Sequence, residues 1–379
     1  MMNKYKFTII TPVFQTPTIF ELYVKSLKET IEFDTKIIFI NDGSSAETMK
    51  KADILSNTVG LELLIFNHNS PQGCVKCINE AIPYIEGDYT VMLDSDIILP
   101  QNWQTNLINS FLNLHNAGAI GAILLYPQCN GIQNCGLVFA ERLIKHLYFN
   151  NRIDFLTLPD YIKVQSTVFA FCAIPNKIIE VVGLLDESFF NGNEDVDYQL
   201  RIQEHGYNIF INTVIHIYHW EKSNGVHRIY NQRNNLTTLW KKHGTFIKND
   251  LWCILEEQMN HWCTEKTYIV LDMSESRIDS LQLKKHLEVC RISTEWIDYS
   301  YLCTADASIK FAEILPIDAV RSSIPYIILC DNFTQLLENS YWFELRKEFS
   351  NKDIVVDFFG NVLSLEKLIP YTWPGHRKR

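Results

Sequence analysis

The chain has no long apolar run, no excess of basic charge, no cysteine framework and no internal repeat. Each absence removes a class of protein. The longest apolar stretch, near Ala117 to Leu125, is too short to cross a bilayer, so no transmembrane segment is expected. The formal net charge is −10, the opposite sign to that favoured by a polyphosphate partner, and no nucleic-acid partner is expected. Ten cysteines are scattered without disulfide-like spacing, which points to reduced thiols and a cytoplasmic location. Cys74-Val75-Lys76-Cys77 is a single CxxC without a second pair, and reads as a helix face with two small apolar thiols rather than as a zinc finger. Met1 to Lys6 does not have the pattern of a signal peptide. The basic tail His376-Arg377-Lys378-Arg379 reads as a soluble C-terminus; contact with the inner membrane surface is the one peripheral location it leaves open.

What is present is ordinary globular material. The 379 residues are 47% hydrophobic and 21% charged, enough for two or three domains. Over the first hundred residues strands and helices alternate. Phe7 to Ile10, Lys36 to Ile40, Leu61 to Phe66 and Tyr89 to Leu93 read as strands; Ile19 to Phe33 and Gly73 to Ile85 read as helices. Such alternation implies βαβ units and a mainly parallel sheet, whose ligands collect at the carboxyl ends of the strands. Thr11-Pro12, Asp42-Gly43 and Asp94-Ser95-Asp96 all lie at such ends and should converge. Further on, Gly118 to Tyr126, Thr167 to Ile174 and Ile209 to Ile211 read as strands, Pro127 to Gly136 as a loop, and Arg228 to His243 as a helix. Alternation restarts near Thr267, with strands at Tyr268 to Asp272, Pro325 to Asp331 and Asp353 to Asp357, and helices at Ser276 to Val289 and Thr334 to Phe349. The expected division is residues 1-249, a helical connector 250-264 carrying an apolar stripe, and a small α/β domain 265-379 whose expected role is packing or self-association into a homo-oligomer.

Three features carry chemistry. Asp94-Ser95-Asp96 places two carboxylates on one side of an extended chain, which suits either a hard divalent cation with bound phosphates or a solvated strand end. Glu194-Asp195 opens a helix after the flexible Asn191-Gly192-Asn193. Acids there favour the macrodipole, and a carboxylate there can also serve as a general base. His216 and His219 follow a strand, and either is a plausible further ligand for Mn²⁺.

The order of these features resembles the family 2 glycosyltransferases of GT-A fold, including their rhamnosyltransferase-like members. Thr8-Ile9-Ile10-Thr11-Pro12-Val13-Phe14 is similar to their opening strand and donor loop, and Ile40-Asn41-Asp42-Gly43-Ser44 to their nucleobase site, with Asn41 replacing an acid. Asn69-Ser70-Pro71-Gln72-Gly73 with Asn79 and Ala81, Gly87 to Asp96, Leu125 to Gly136, Val182 to Phe190, Glu194-Asp195-Val196-Asp197 with Arg201, His219 with Ser223, and Tyr230 with Arg233-Asn234 continue the series. The resemblance covers roughly residues 5 to 245.

That resemblance implies an inverting transferase that moves a sugar, hexosyl or deoxyhexosyl, from a nucleotide-diphosphate sugar to a hydroxyl of a glycan, lipid-linked or protein acceptor. Surface polysaccharide synthesis is the implied setting. Thr11, Pro12, Val13, Phe14, Asp42, Gly73, Asp94 and Ser95 would line the donor site, with Asp42 on the nucleobase and Asp94 on the ribose and phosphates. Asp96 would ligate Mn²⁺ or Mg²⁺, with His219 preferred over His216 as a further ligand. Asp195 would be the base, supported by Glu194. The alternatives are a catalytically idle scaffold and a nucleotidyltransferase. The first is disfavoured by two intact acidic motifs, the second by the lack of a Gly-rich basic loop after the first strand.

Overall fold

The computed structural model describes residues 5–15, 17–56, 58–140, 143–220, 225–274, 277–298, 321–331, 346 and 349–368. Its packing forms two units, Met1–Val138 with Leu156–Lys248, and Phe139–Phe155 with Asn249–Arg379.

The first unit is built on β1 (Lys6–Val13), α1 (Pro17–Thr30), β2 (Asp34–Asp42), α2 (Ala46–Lys50), β3 (Leu61–His68), α3 (Cys74–Ala81), β4 (Tyr89–Leu93), β5 (Ile97–Ile98), α4 (Trp103–Asn113), β6 (Ala117–Leu125) and β7 (Ile132–Asn134). After the β8 (Leu137–Ala140) and β9 (Leu143–His146) hairpin come β10 (Tyr161–Val164), β11 (Phe171–Pro175), α5 (Asn176–Val182), α6 (Glu194–Glu204), β12 (Asn208–His219) and α7 (Gly225–His243). The main sheet runs β10-β12-β6-β11-β4-β1-β2-β3, with β5 on β12 and β7 on β6. The β4-β1-β2-β3 half is parallel, and β11 runs antiparallel to both β4 and β6. β1 and β2 are buried on both faces, which is why they read as continuous apolar runs rather than alternating ones. Phe7 and Ile9 of β1 pack with Phe20, Tyr23 and Leu27 of α1 and with Trp103 of α4 in one core.

Two local readings change. The stretch Pro127 to Gly136, expected as a loop, contains β7, which pairs antiparallel with the end of β6. The strand expected over Ile209 to Ile211 runs from Asn208 through His219, so His216 and His219 lie within β12 and not after it.

The second unit carries α8 (Leu251–Trp262), β13 (Thr267–Asp272), α9 (Arg277–Val289), β14 (Ser293–Asp298), β15 (Tyr326–Cys330), β16 (Ile354–Asp357) and β17 (Val362–Ser364). Its sheet is ordered β14-β13-β15-β16-β17, parallel except for the last pair. Leu251, Trp252, Leu255 and Met259 of α8 are buried, as the apolar stripe requires. The division is not linear along the chain: Phe139–Phe155 and α8 both belong to this unit. Tyr148 N donates to Phe359 O, Asn151 Nδ2 donates to Asn361 Oδ1, and the Lys145 ammonium lies over the Phe358 and Phe359 rings. These contacts join residues some two hundred positions apart, beyond the reach of any local pattern. The helix expected over Thr334 to Phe349 lies outside the described residues except at Arg346 and Phe349, and the basic tail lies wholly outside them.

Candidate functional site

β4 delivers Asp94-Ser95-Asp96 to the carboxyl end of the sheet. The Asp94 N–H donates to the Ala170 carbonyl, and the Asp96 carbonyl accepts from Trp220 N. The next two residues form β5, which pairs Ile97 with His219 and Ile98 with Tyr218. That short ladder sets the position of the imidazole. His219 Nε2 stands 3.2 Å from Asp96 Oδ1 and 3.6 Å from Asp94 Oδ2, and one donor atom from each of the three residues lies within 4.8 Å of the others.

The strand also chooses between the two histidines. Side chains three apart on a strand face opposite sides. Ile215, Ile217 and His219 point inward, while Val214, His216 and Tyr218 point out. His216 binds the Thr213 carbonyl through Nε2 and takes no part in the cluster.

A residue that the sequence reading did not single out completes the arrangement. Gln133, on β7, meets His219 Nδ1 through its Oε1. An amide oxygen can only accept, so Nδ1 carries a proton and Nε2 is the nitrogen that faces the two aspartates and can ligate a cation. Fixing the tautomer through the outer nitrogen is how metal-ligating imidazoles are usually held. Two carboxylates and one imidazole nitrogen form a donor set that suits Mn²⁺ or Mg²⁺. Asp96 is largely buried, whereas the Asp94 side chain is 44% exposed and faces the crevice.

The donor loop is held from behind. Thr11 Oγ1 and the Tyr23 hydroxyl are 2.6 Å apart, and burial followed by the nearby Asp94 charge pushes the Tyr23 phenol above its ordinary range. The Val13 carbonyl accepts from Ser44 Oγ, while Phe14 is exposed and Pro12 partly so. Asn41 accepts from Ser44 N and donates from Nδ2 to Asn67 Oδ1. A carboxylate there could not make the second bond, which accounts for asparagine at this position.

Asp42 is heavily engaged. It accepts from Gln72 N and Gly73 N and pairs with His68 Nδ1 at 2.9 Å, while His68 Nε2 lies 2.6 Å from Glu80. Burial disfavours the Asp42 anion, but the imidazole and the two amides outweigh it and hold the carboxyl below its usual range. Asp42 therefore closes the loop from Asn69 to Gly73.

Gly73 adopts φ +93° at the start of α3, and a Cβ there would come within 3.1 Å of the Phe190 ring. Only glycine fits both the backbone and the approach of that loop. Asn79 of α3 grips the same region, exchanging hydrogen bonds with the Leu185 backbone.

The segment before α6 bends through Asn191 and Asn193, both with positive φ, as asparagine tolerates. Glu194 Oε2 then accepts from Gly192 N, and Asp195 Oδ1 accepts from Val196 N. Asp197 is fully buried and neutralised by Arg201, Lys242 and His243. Asp186 pairs with Lys242, and although burial opposes it, this bond and the Ser188 amide hold its carboxyl down at about 2. From α7, Asn235 exchanges hydrogen bonds with the Phe190 backbone; its neighbours Arg233 and Asn234 are exposed. The sequence offered Arg233-Asn234, and helical phase selected the next residue. Ser223 lies outside the described residues, as does the side chain of Tyr230.

The segment before the second acidic centre meets the start of α3. Cys74, the first residue of α3, has its thiol pushed well above the ordinary value by burial and then by the charges of Glu194, Asp94 and Asp195. Asn191 Oδ1 accepts from the Cys74 N–H, which closes the same junction. Carboxylates separated by about a hundred residues thus act electrostatically on a single thiol.

Residues 8–171 match the sequence model of Glycosyl transferase family 2. No curated protein matches the chain. Among solved structures, GalNAc-T7 with UDP, GalNAc and Mn²⁺ is 13% identical with a TM-score of 0.52, covering 76% of this chain and 56% of its own. The mannosyltransferase PcManGT from Pyrobaculum calidifontis, with GDP-Man and Mn²⁺, is 13% identical with a TM-score of 0.46, covering 65% and 66%. TarS of S. aureus is 14% identical with a TM-score of 0.42, covering 68% and 48%. The chain thus spans about half to two thirds of the length of these structures. Among described residues, no helix is long and apolar enough to cross a membrane. Residues 8–171 thus match the glycosyl transferase family 2 model, and the central, mostly parallel sheet is of the GT-A kind.

Proposed function

We propose that this protein transfers a sugar from a nucleotide-diphosphate sugar to a hydroxyl acceptor, inverting the anomeric centre. The observation that carries the reading is the contact of Gly73 and Cys74 with Phe190 and Asn191, the residues just before Glu194-Asp195. It sets the acceptor-side segment against the donor loop, as a single displacement needs.

Asp96 and His219 would hold a divalent cation, Mn²⁺ or Mg²⁺, with Asp94 beside it towards the ribose. Bound there, the cation would offset charge on the departing diphosphate. Gln133 holds His219 with Nε2 towards the site. Asp42 organises the loop on which the nucleobase would rest, through the amides of Gln72 and Gly73. Asp195 takes the proton of the acceptor hydroxyl as the new bond forms. Glu194, tied to the Gly192 amide, holds the loop from which Asp195 acts. Neither a serine nor a cysteine nucleophile is required, and the Cys74 thiol is held protonated. A glycan or lipid-linked glycan is the acceptor class that fits surface polysaccharide synthesis.

The test is release of nucleoside diphosphate across a panel of nucleotide sugars with Mn²⁺. Wild type should turn over one donor, and Asp195→Asn should lose transfer by about 10²–10⁴-fold while still binding the nucleotide. Undiminished turnover in chelator would overturn the metal's part. Pyrophosphate as the product would replace sugar transfer with nucleotidyl transfer.

A further inference from the structure

We propose that Asp42, His68 and Cys77 form a second metal site, specific for a thiophilic divalent cation such as Zn²⁺. One donor atom from each lies within 4.8 Å of the others. His68 Nδ1 is 2.9 Å from Asp42 Oδ1 and 4.0 Å from Cys77 Sγ. Two atoms bound to one zinc, a thiolate sulfur and an imidazole nitrogen, can be separated by at most about 4.4 Å. The His68–Cys77 separation is below that limit and all three donors lie within 4.8 Å of one another, so side-chain adjustments alone would bring them onto one ion.

The frame is rigid. Asp42 and His68 end adjacent parallel strands and stand opposite each other in the ladder, and Cys77 lies one turn into α3. Asp42 is already oriented by the Gln72 and Gly73 amides. Glu80 lies 2.6 Å from His68 Nε2. A carboxylate there takes the Nε2 proton in a hydrogen bond and leaves the Nδ1 lone pair facing Asp42 and Cys77. This carboxylate–histidine pairing orients imidazole ligands in metal sites generally.

Asp42 and Cys77 are buried and His68 is partly so, and two carboxylates with a thiol surround one imidazole. A divalent cation satisfies that charge with a neutral imidazole. Cys77 binds as thiolate, releasing its proton to solvent, and water fills the fourth tetrahedral position. The sulfur separates this site from Asp94, Asp96 and His219, whose oxygen-rich set favours a harder ion. Bound zinc would tie β2, β3 and α3 together around the loop from Asn69 to Gly73.

The competing arrangement is metal-free, with a protonated His68 bridging Asp42 and Glu80. Titration of the chelator-stripped full chain with Co²⁺ separates the two. Wild type and Asp96→Ala should both develop a thiolate-to-cobalt charge-transfer band that saturates at a single ion per chain and is abolished by Zn²⁺. Cys77→Ser should lose the band, and His68→Gln, which keeps the thiol, should weaken binding at least ~10-fold. Circular dichroism checks that each variant is folded, and if Cys77→Ser is not, His68→Gln decides. No band in wild type, a band that survives Cys77→Ser, or undiminished affinity in His68→Gln would overturn the site.

Discussion

Both units end parallel strands on aspartates, and the two sets do different work. In the second unit Asp272 accepts from the amide and hydroxyl of Ser274. Asp357 accepts from Phe359 N, Asn361 N and Asn361 Nδ2. Asp353, just before β16, makes a two-point pair with Arg346, whose guanidinium lies over the Tyr326 ring. These carboxylates close turns or pair with a buried guanidinium, each matched by amides or by a cation. In the first unit Asp94 and Asp96 stand against one imidazole, with a chemically suitable gap between them. An aspartate at a strand end is thus no sign of a site. The partners decide, and two acids facing one imidazole nitrogen are what a cation would complete.

The largest test of that contrast is Asp96→Ala. Sugar transfer should fall by at least ~10³-fold, about 4 kcal/mol of barrier, with the fold intact. The variant should no longer respond to Mn²⁺ in a thermal-shift assay with nucleoside diphosphate. A variant of normal activity would place Asp96 with the turn-closing aspartates instead.

Arg346→Ala should do the reverse. Removing one partner of a buried pair strands the other, and a loss of about 3–5 kcal/mol is expected in the second unit's unfolding, read by urea denaturation. Nucleotide binding by the first unit should be unchanged.

Gln133→Leu sharpens the comparison from outside the donor set. It frees the Nδ1 side of His219, and metal affinity should weaken about 10–100-fold with little change in stability. Calorimetric titration with Mn²⁺ measures it. Equal affinity would mean that β5 pairing alone fixes the imidazole.

The smallest effect concerns Asp186, an acid matched by a cation inside the first unit. Its carboxyl is depressed to about 2 from an unfolded 3.8. The stability it contributes is therefore present above about pH 4 and lost as pH falls towards 2. Solvent exposure of the pair limits this to roughly 1 kcal/mol. Asp186→Asn, which leaves Lys242 on Asp197, should flatten the acid limb of a stability-against-pH curve; an unchanged limb would remove the pair from the account.

Much of this was legible in the chain. Continuous apolar runs in β1, β2 and β4 show strands buried on both faces, and the turn residues between them mark where ligands gather. The acids at Asp94, Asp96, Glu194 and Asp195 stand out by type and order. Three decisions were not legible. Gln133 reaches His219 from 86 residues away, through a three-residue strand hidden in a polar stretch. Asn235 meets Phe190, rather than Asn234 doing so, because of the rotational phase of α7. Phe139–Phe155 joins the second unit through contacts such as Asn151 with Asn361.

By itself the sequence determined the parallel half-sheet, its acidic strand ends and the match of residues 8–171 to glycosyl transferase family 2, because apolar periodicity and turn chemistry are local. Tertiary structure decided which carboxylates remain to share an imidazole and which are matched by amides and cations. It also supplied the physical reason for His219 over His216, which the resemblance already preferred: only His219 lies on the inward face of β12. Those outcomes depend on strand register and on long-range pairing, and a one-residue change of register would have turned the other face of β12 towards Asp96.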